Sequence, residues 1–174
     1  MWKFHTSDID PMPVFFDKYI LLVEDVSLLD AFTSHTPIFT DEELEMVRKY
    51  QDYAYEQGKW TVKEVIQHLT DNDRVQSYRA LRISRGDTTA LPGYDQDVLA
   101  RHHHANARSI EDLLEEHQLV RQSVIKLFKS MHEEDLYRVG NANGNPITAP
   151  ALGFQIIGHQ IYHKRILNER YFQK

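Results

Sequence analysis

His159 and His163 stand one helical turn apart in the segment Gly158-His159-Gln160-Ile161-Tyr162-His163. On a helix that spacing sets both imidazoles on one face, within reach of a single ion. Such a pair supplies two of the three protein ligands of an open, catalytic zinc-type site. The same face carries Leu152, Ile156, Ile166 and Leu167, so both rings lie in a core stripe. Unsatisfied buried polar groups cost roughly 1–3 kcal/mol each, so either a metal or hydrogen-bonding neighbours must satisfy them. The zinc-protease motif is excluded, because position 160 is Gln where that motif needs Glu. A Glu-x-x-His pair of the di-iron kind is also lacking, which leaves a mononuclear site built on histidines.

His68 supplies a third arm. It flanks the core face of its own helix, defined by Val62, Val65, Ile66 and Leu69. The next turns put Asn72, Asp73 and Gln76 along or inside that face. A core face that turns polar in mid-helix fits a hydrated cavity whose amides and carboxylates orient metal ligands. A rotated helix with these groups in solvent is the competing explanation. Farther along, His117 and Arg121 share a side with Leu113, Leu114 and Val124. Arg121 is placed to neutralise Asp73 or to hold an anionic substrate, and His117 to orient a ligand or transfer a proton. Asp73, His117 and Arg121 are therefore the candidate catalytic residues, against the plainer reading of a buried ion pair across a bundle. His102-His103-His104 cannot converge on one ion while helical, since adjacent helical residues point apart, and a solvated surface is expected there.

The elements that must position these groups are helical. Apolar residues recur at helical spacing between a few Pro and Gly positions. A first helix is expected from about Asp10-Pro11 to Thr33, with Phe15, Tyr19, Leu22, Val23, Val26 and Leu29 on its main face. Val14, Leu21, Leu28 and Phe32 form a second apolar side, which calls for deep burial or a homodimer contact. Thr40-Asp41-Glu42-Glu43 and Thr61-Val62-Lys63-Glu64 read as capping boxes, the second opening a long helix to about Ser84 with Trp60 and Val65 as a staple. A shorter helix is expected over about Asp95 to Ala105, a long one from Ser109 to about Met131, and a last one from Thr148 nearly to the C-terminus. Asn141 to Pro146 reads as a turn-rich loop, and no segment reads as a strand. The expectation is an all-α, four-helix bundle, one domain over residues 1–174, with short extra helices. The long connection between the second and third long helices points to a crossover.

With 174 residues, 41% hydrophobic and 26% charged, the chain is of ordinary globular composition. Its net charge of −6 argues against a nucleic-acid surface. No apolar run approaches membrane-spanning length, and the N-terminus shows no signal core, so a cytoplasmic location is expected. Ten histidines stand against no cysteine, which removes disulfides, Cys-type zinc sites and any thiolate of the chain's own.

The chain resembles the DinB/YfiT-like superfamily over nearly its whole length. The resemblance rests on the blocks Tyr19 to Asp25, Gly58 to Leu69, Tyr78 to Leu81, Arg85 to Asp87, Asn143-Gly144, Gly158 to His163 and Glu169 to Tyr171, in that order and spacing. It implies a four-helix bundle that often dimerises and a three-histidine site at His68, His159 and His163. It further implies a divalent metal, nickel or zinc, with water in open positions. The implied activities are S-transfer with a low-molecular-weight thiol such as bacillithiol, mycothiol or a glutathione-like molecule, thiol-assisted isomerisation, or hydrolysis. A small-molecule substrate and no membrane or nucleic-acid partner follow. The alternative is a non-catalytic metal- or ligand-binding bundle, in which the ion would be closed to solvent.

Overall fold

The computed structural model describes residues 2–173. Three long helices dominate: α4 (Val62–Ser84), α6 (Ile110–Lys129) and α7 (Ala149–Ile166). Shorter ones are α1 (Asp17–Ile20), α2 (Leu28–Ser34), α3 (Asp41–Lys49) and α5 (Gln96–His102). The whole is a four-helix bundle in which α1 and α2, both packed on α7, together take the first position.

Local chemistry explains the boundaries. Thr40 and Thr61 each accept the N–H of the residue three on, and Glu43 and Glu64 bond back to the cap N–H, as the two sequence boxes require. Ser109 and Thr148 cap α6 and α7 through Asp112 and Ala151, and Pro150 sits in the first turn of α7, where its missing N–H is harmless.

The expected continuous first helix does not form. Pro13 pushes Met12 away from helical geometry, and Phe15 stands in the left-handed region at φ 78°. Ser27 then turns extended and caps a new helix through the Asp30 N–H. The two apolar sides therefore have mixed fates. Leu28 and Phe32 are fully buried, whereas Val14, Phe15 and Leu21 are exposed. A second correction concerns strands. Val139–Ala142 (β1) and Asn145–Thr148 (β2) pair antiparallel, joined by Asn143 and Gly144, both with positive φ. An Asn-Gly turn of that kind matches the twist of a two-residue hairpin.

The crossover is present. Asp73 of α4 meets Arg121 of α6, and Gln67 meets Arg108 just before α6, so the two helices run the same way. The chain must therefore return along the bundle through α5 and the loops around it. Leu91 pins that return by exchanging backbone bonds with Asn141 and Asn143 of the hairpin region.

Two apolar clusters fill the bundle. One gathers Leu28, Ile83, Val124, Phe128 and Leu152; the other gathers Val62, Ile66, Leu69, Ile110 and Leu167. Between them every long helix turns polar at the same level: α4 at Asn72, Asp73 and Gln76, α6 at His117 and Arg121, α7 at Gln155, His159 and Gln160. That buried layer is where chemistry can be held.

Candidate metal centre

His68 projects from the second turn of α4, and His159 and His163 from successive turns near the end of α7. One ligand atom from each lies within 4.8 Å of the others. The Nε2 atoms of His68 and His159 approach to 3.0 Å, and the ring centroids are 4.5 to 4.9 Å apart. His68 and His159 are buried, and His163 retains some exposure at the mouth. The expectation that these three imidazoles converge is met by the geometry.

Aromatic neighbours fix the rings. Trp60 packs against His68 at 4.7 Å with the rings tilted, Tyr19 meets His159 edge-on at 5.0 Å, and Tyr162 meets His163 at 5.2 Å. The Trp60 carbonyl accepts the Tyr171 hydroxyl at 2.7 Å, and Tyr171 reaches it because α7 ends in a π-helical turn at Leu167–Tyr171. Tyr19 approaches α7 because position 158 has no side chain: a Cβ there would stand 1.9 Å from the Tyr19 carbonyl oxygen. Gly158→Ala is therefore expected to cost about 1–3 kcal/mol through overpacking. A lower urea midpoint would show it, and an unchanged midpoint would contradict so close a helix approach.

Electrostatics favour metal ligation. Burial pushes the His68 pKa down to about 3, helped by His163 and His103. Burial likewise takes His163 to about 4 and His159 well below its usual value. Neutral imidazoles with free lone pairs are the form a metal needs. The competing explanation, a hydrogen-bonded core, accounts for the Nε2 atoms of His68 and His159, which lie at hydrogen-bond distance; His159 Nδ1 is buried with no partner under either explanation. Three neutral nitrogen donors facing one point, without a carboxylate among them, fit a borderline-soft divalent ion.

The depressed values carry a pH consequence. In the unfolded chain these histidines, and His117 with its pKa of about 4, take up protons below about pH 6.5, while the fold keeps them neutral. The unfolded state then binds more protons, so stability falls as pH drops from about 6.5 towards 4. Metal-free protein should show a steadily lower melting temperature across that window and little change from pH 7 to 8. A flat profile from pH 7 to 4 would mean the rings are not desolvated.

The candidate catalytic residues meet each other elsewhere in the polar layer. Arg121 donates from Nε to Asp73 Oδ2 at 2.7 Å and from Nη2 to Oδ1 at 3.2 Å, with both residues about 1% exposed. Its Nη1 donates to Gln160 Oε1 at 2.6 Å. His117 is buried beside this pair, its Nε2 without a partner. Among the described residues no hydrogen bond joins Asp73, His117 or Arg121 to the three converging imidazoles. Asn72 bonds Gln155 and Gln76 rather than a histidine. As expected, His102 and His104 are exposed; His103 is half-buried, and its Nδ1 accepts the Ala105 N–H.

Two cavities open on the imidazoles from different directions. The larger, of about 760 Å³, is lined by Trp60, Glu64, Asp97, Arg101, His163 and Tyr171. The smaller, of about 290 Å³, is lined by Lys18, Tyr19, Asn72, Arg79, Tyr94 and His159, among others. Tyr19, Trp60, Arg79 and Tyr94 were not read from the sequence as site residues. Trp60 read as a staple and Tyr19 as a core-face residue, both inside blocks of the resemblance, as was Arg79; Tyr94 gave no signal, and their meeting depends on how separate segments pack.

The model of the DinB superfamily matches residues 27–167. Among solved structures the chain is similar to YfiT from Bacillus subtilis, described as a probable metal-dependent hydrolase with an unusual four-helix bundle topology. The two are 20% identical, the match covers 88% of this chain and 87% of that one, and the TM-score is 0.56. That likeness is one of fold. No curated protein matches the sequence.

Proposed function

Starting from the fact that the chain belongs to the DinB superfamily, we propose that it is a metal-dependent enzyme whose single divalent ion, zinc or nickel, is held by His68, His159 and His163. The observation that carries this is the convergence of three desolvated, neutral imidazoles. An ion held by three nitrogens keeps a position open and makes a small nucleophile bound there more acidic. Water as that nucleophile gives hydrolysis, and a low-molecular-weight thiol gives S-transfer to an electrophile. With no cysteine in the sequence, a thiol must come from outside.

The chain's own groups do the rest. Trp60, Tyr19 and Tyr162 hold the rings in place. The apolar clusters on either side of the polar layer keep the imidazoles unprotonated. The larger cavity reaches His163 and admits a small-molecule substrate. Exposed Val14 and Leu21 are the surface offered to a second copy in a homodimer. Among the described residues no helix is long and apolar enough to cross a membrane.

The test is a screen of metal-loaded protein with several small thiols against a generic electrophile, and with an activated ester for hydrolysis. His159→Ala runs beside it. The expected result is a metal-dependent rate at least ~100-fold lower in the variant, because losing one of three ligands empties or loosens the site on which the reaction depends. Equal rates in both proteins would overturn the enzyme reading.

A further inference from the structure

Three cationic side chains are buried among the described residues: Lys63, Arg79 and Arg121. Lys63 pairs with Asp52 at 2.8 Å and Arg121 with Asp73 at 2.7 Å. Arg79 has no carboxylate. Its Nη1 donates to the Gln76 side-chain oxygen at 3.1 Å and its Nη2 to the Pro92 carbonyl at 2.6 Å, both neutral acceptors. A guanidinium that is 4% exposed and faces only dipoles is an anomaly, since buried charges are ordinarily matched by an opposite charge. Desolvation accordingly lowers the Arg79 pKa.

Arg79 lines the smaller cavity together with Lys18, the other cation there, and no Asp or Glu lines it. Asn72, Gln76 and Gln155 supply amides along the wall, and Tyr94 lies under the guanidinium with its ring 5.7 Å away. At the rim Phe15 is half exposed and held at φ 78°. A non-glycine residue in the left-handed region stores strain of order 1–3 kcal/mol, and such strain recurs at ligand clamps and active sites as well as in turns. His159 forms part of the same wall, so the cavity ends at the metal centre.

We propose that this cavity is an anion subsite that takes the carboxylate of a small organic acid, with Arg79 as its counter-charge and Lys18 at the entrance. The planar guanidinium fork suits a carboxylate. One buried positive charge calls for one negative charge, which favours a monocarboxylate over a phosphate dianion. The volume of about 290 Å³ holds a molecule of a few heavy atoms. Its role in turnover rests on the metal-centre reading above, because the carboxylate would tether a reactant beside His159. Its capacity to bind does not.

The test uses butyrate and its neutral amide, butyramide, titrated by calorimetry into the full chain, once chelator-stripped and once zinc-loaded. Butyrate should bind both forms saturably, and butyramide at least ~10-fold more weakly, the size expected for a charge-assisted hydrogen bond. Arg79→Gln should lose butyrate by a similar ~10-fold factor or more. Because Arg79 is buried and its loss can unfold the chain, Lys18→Gln, at an exposed position, serves as the second variant, with an expected loss of about threefold. Butyrate binding that needs zinc would place the carboxylate on the metal and overturn the subsite while leaving the metal centre intact. Equal affinity for acid and amide, unchanged affinity in Lys18→Gln and a folded Arg79→Gln, or phosphate binding more tightly than butyrate would each overturn it outright.

Discussion

Asp73→Ala is expected to cost the fold about 3–5 kcal/mol, because it strands the Arg121 guanidinium in the bundle without its counter-charge. Both side chains are about 1% exposed, and the pair is bidentate, at 2.7 and 3.2 Å. Gln160 would still accept from Nη1, but one amide oxygen does not replace a carboxylate. Replacing both partners by apolar residues, Asp73→Leu with Arg121→Met, should recover much of the loss, since the buried charge then disappears. Chemical denaturation of the two variants makes the comparison. If Asp73→Ala kept its stability and lost only turnover, Asp73 would belong to the catalytic machinery instead of the scaffold.

An effect of similar size is expected at the histidines. A ligand that binds only the folded chain stabilises it by about 4 kcal/mol at a thousandfold excess over its Kd. Zinc added to chelator-stripped protein should therefore raise the melting temperature by several degrees. The shift should vanish in His68→Ala and in His159→Ala, which remove the two nitrogens that approach to 3.0 Å. His117→Ala should keep it, because His117 lies beside the Asp73–Arg121 pair and has no hydrogen bond to the converging imidazoles. A His68→Ala protein stabilised by zinc as strongly as the parent would show that the ion binds elsewhere, with the exposed His102 and His104 as the first place to look.

Much of this was legible before any coordinates. The capping boxes at Thr40 and Thr61 announce α3 and α4, since each rests on contacts three residues apart. The His159–His163 spacing and the polar break in the α4 core face announce the candidate site for the same reason: both are periodicities within one element. What escaped was non-local or turned on single residues. Pro13 and the left-handed Phe15 break a helix whose apolar pattern runs on past them. The Asn143-Gly144 hairpin was hidden by strands of four residues, too short for an alternation to register. Arg79 sits beside Tyr78 in α4 as an ordinary helical arginine. Its want of a carboxylate becomes visible only once the crossover loop lays the Pro92 carbonyl against it.

X-ray absorption at the zinc edge of untagged protein, stripped and reloaded with one equivalent, reads the shared coordination of the three rings directly. One tightly held ion per chain with three imidazole nitrogens at about 2.0–2.1 Å is the expected spectrum. A reloaded sample that retains no stoichiometric ion, or whose zinc shows only one imidazole among oxygen ligands, would contradict it and remove the basis for the chemistry proposed above.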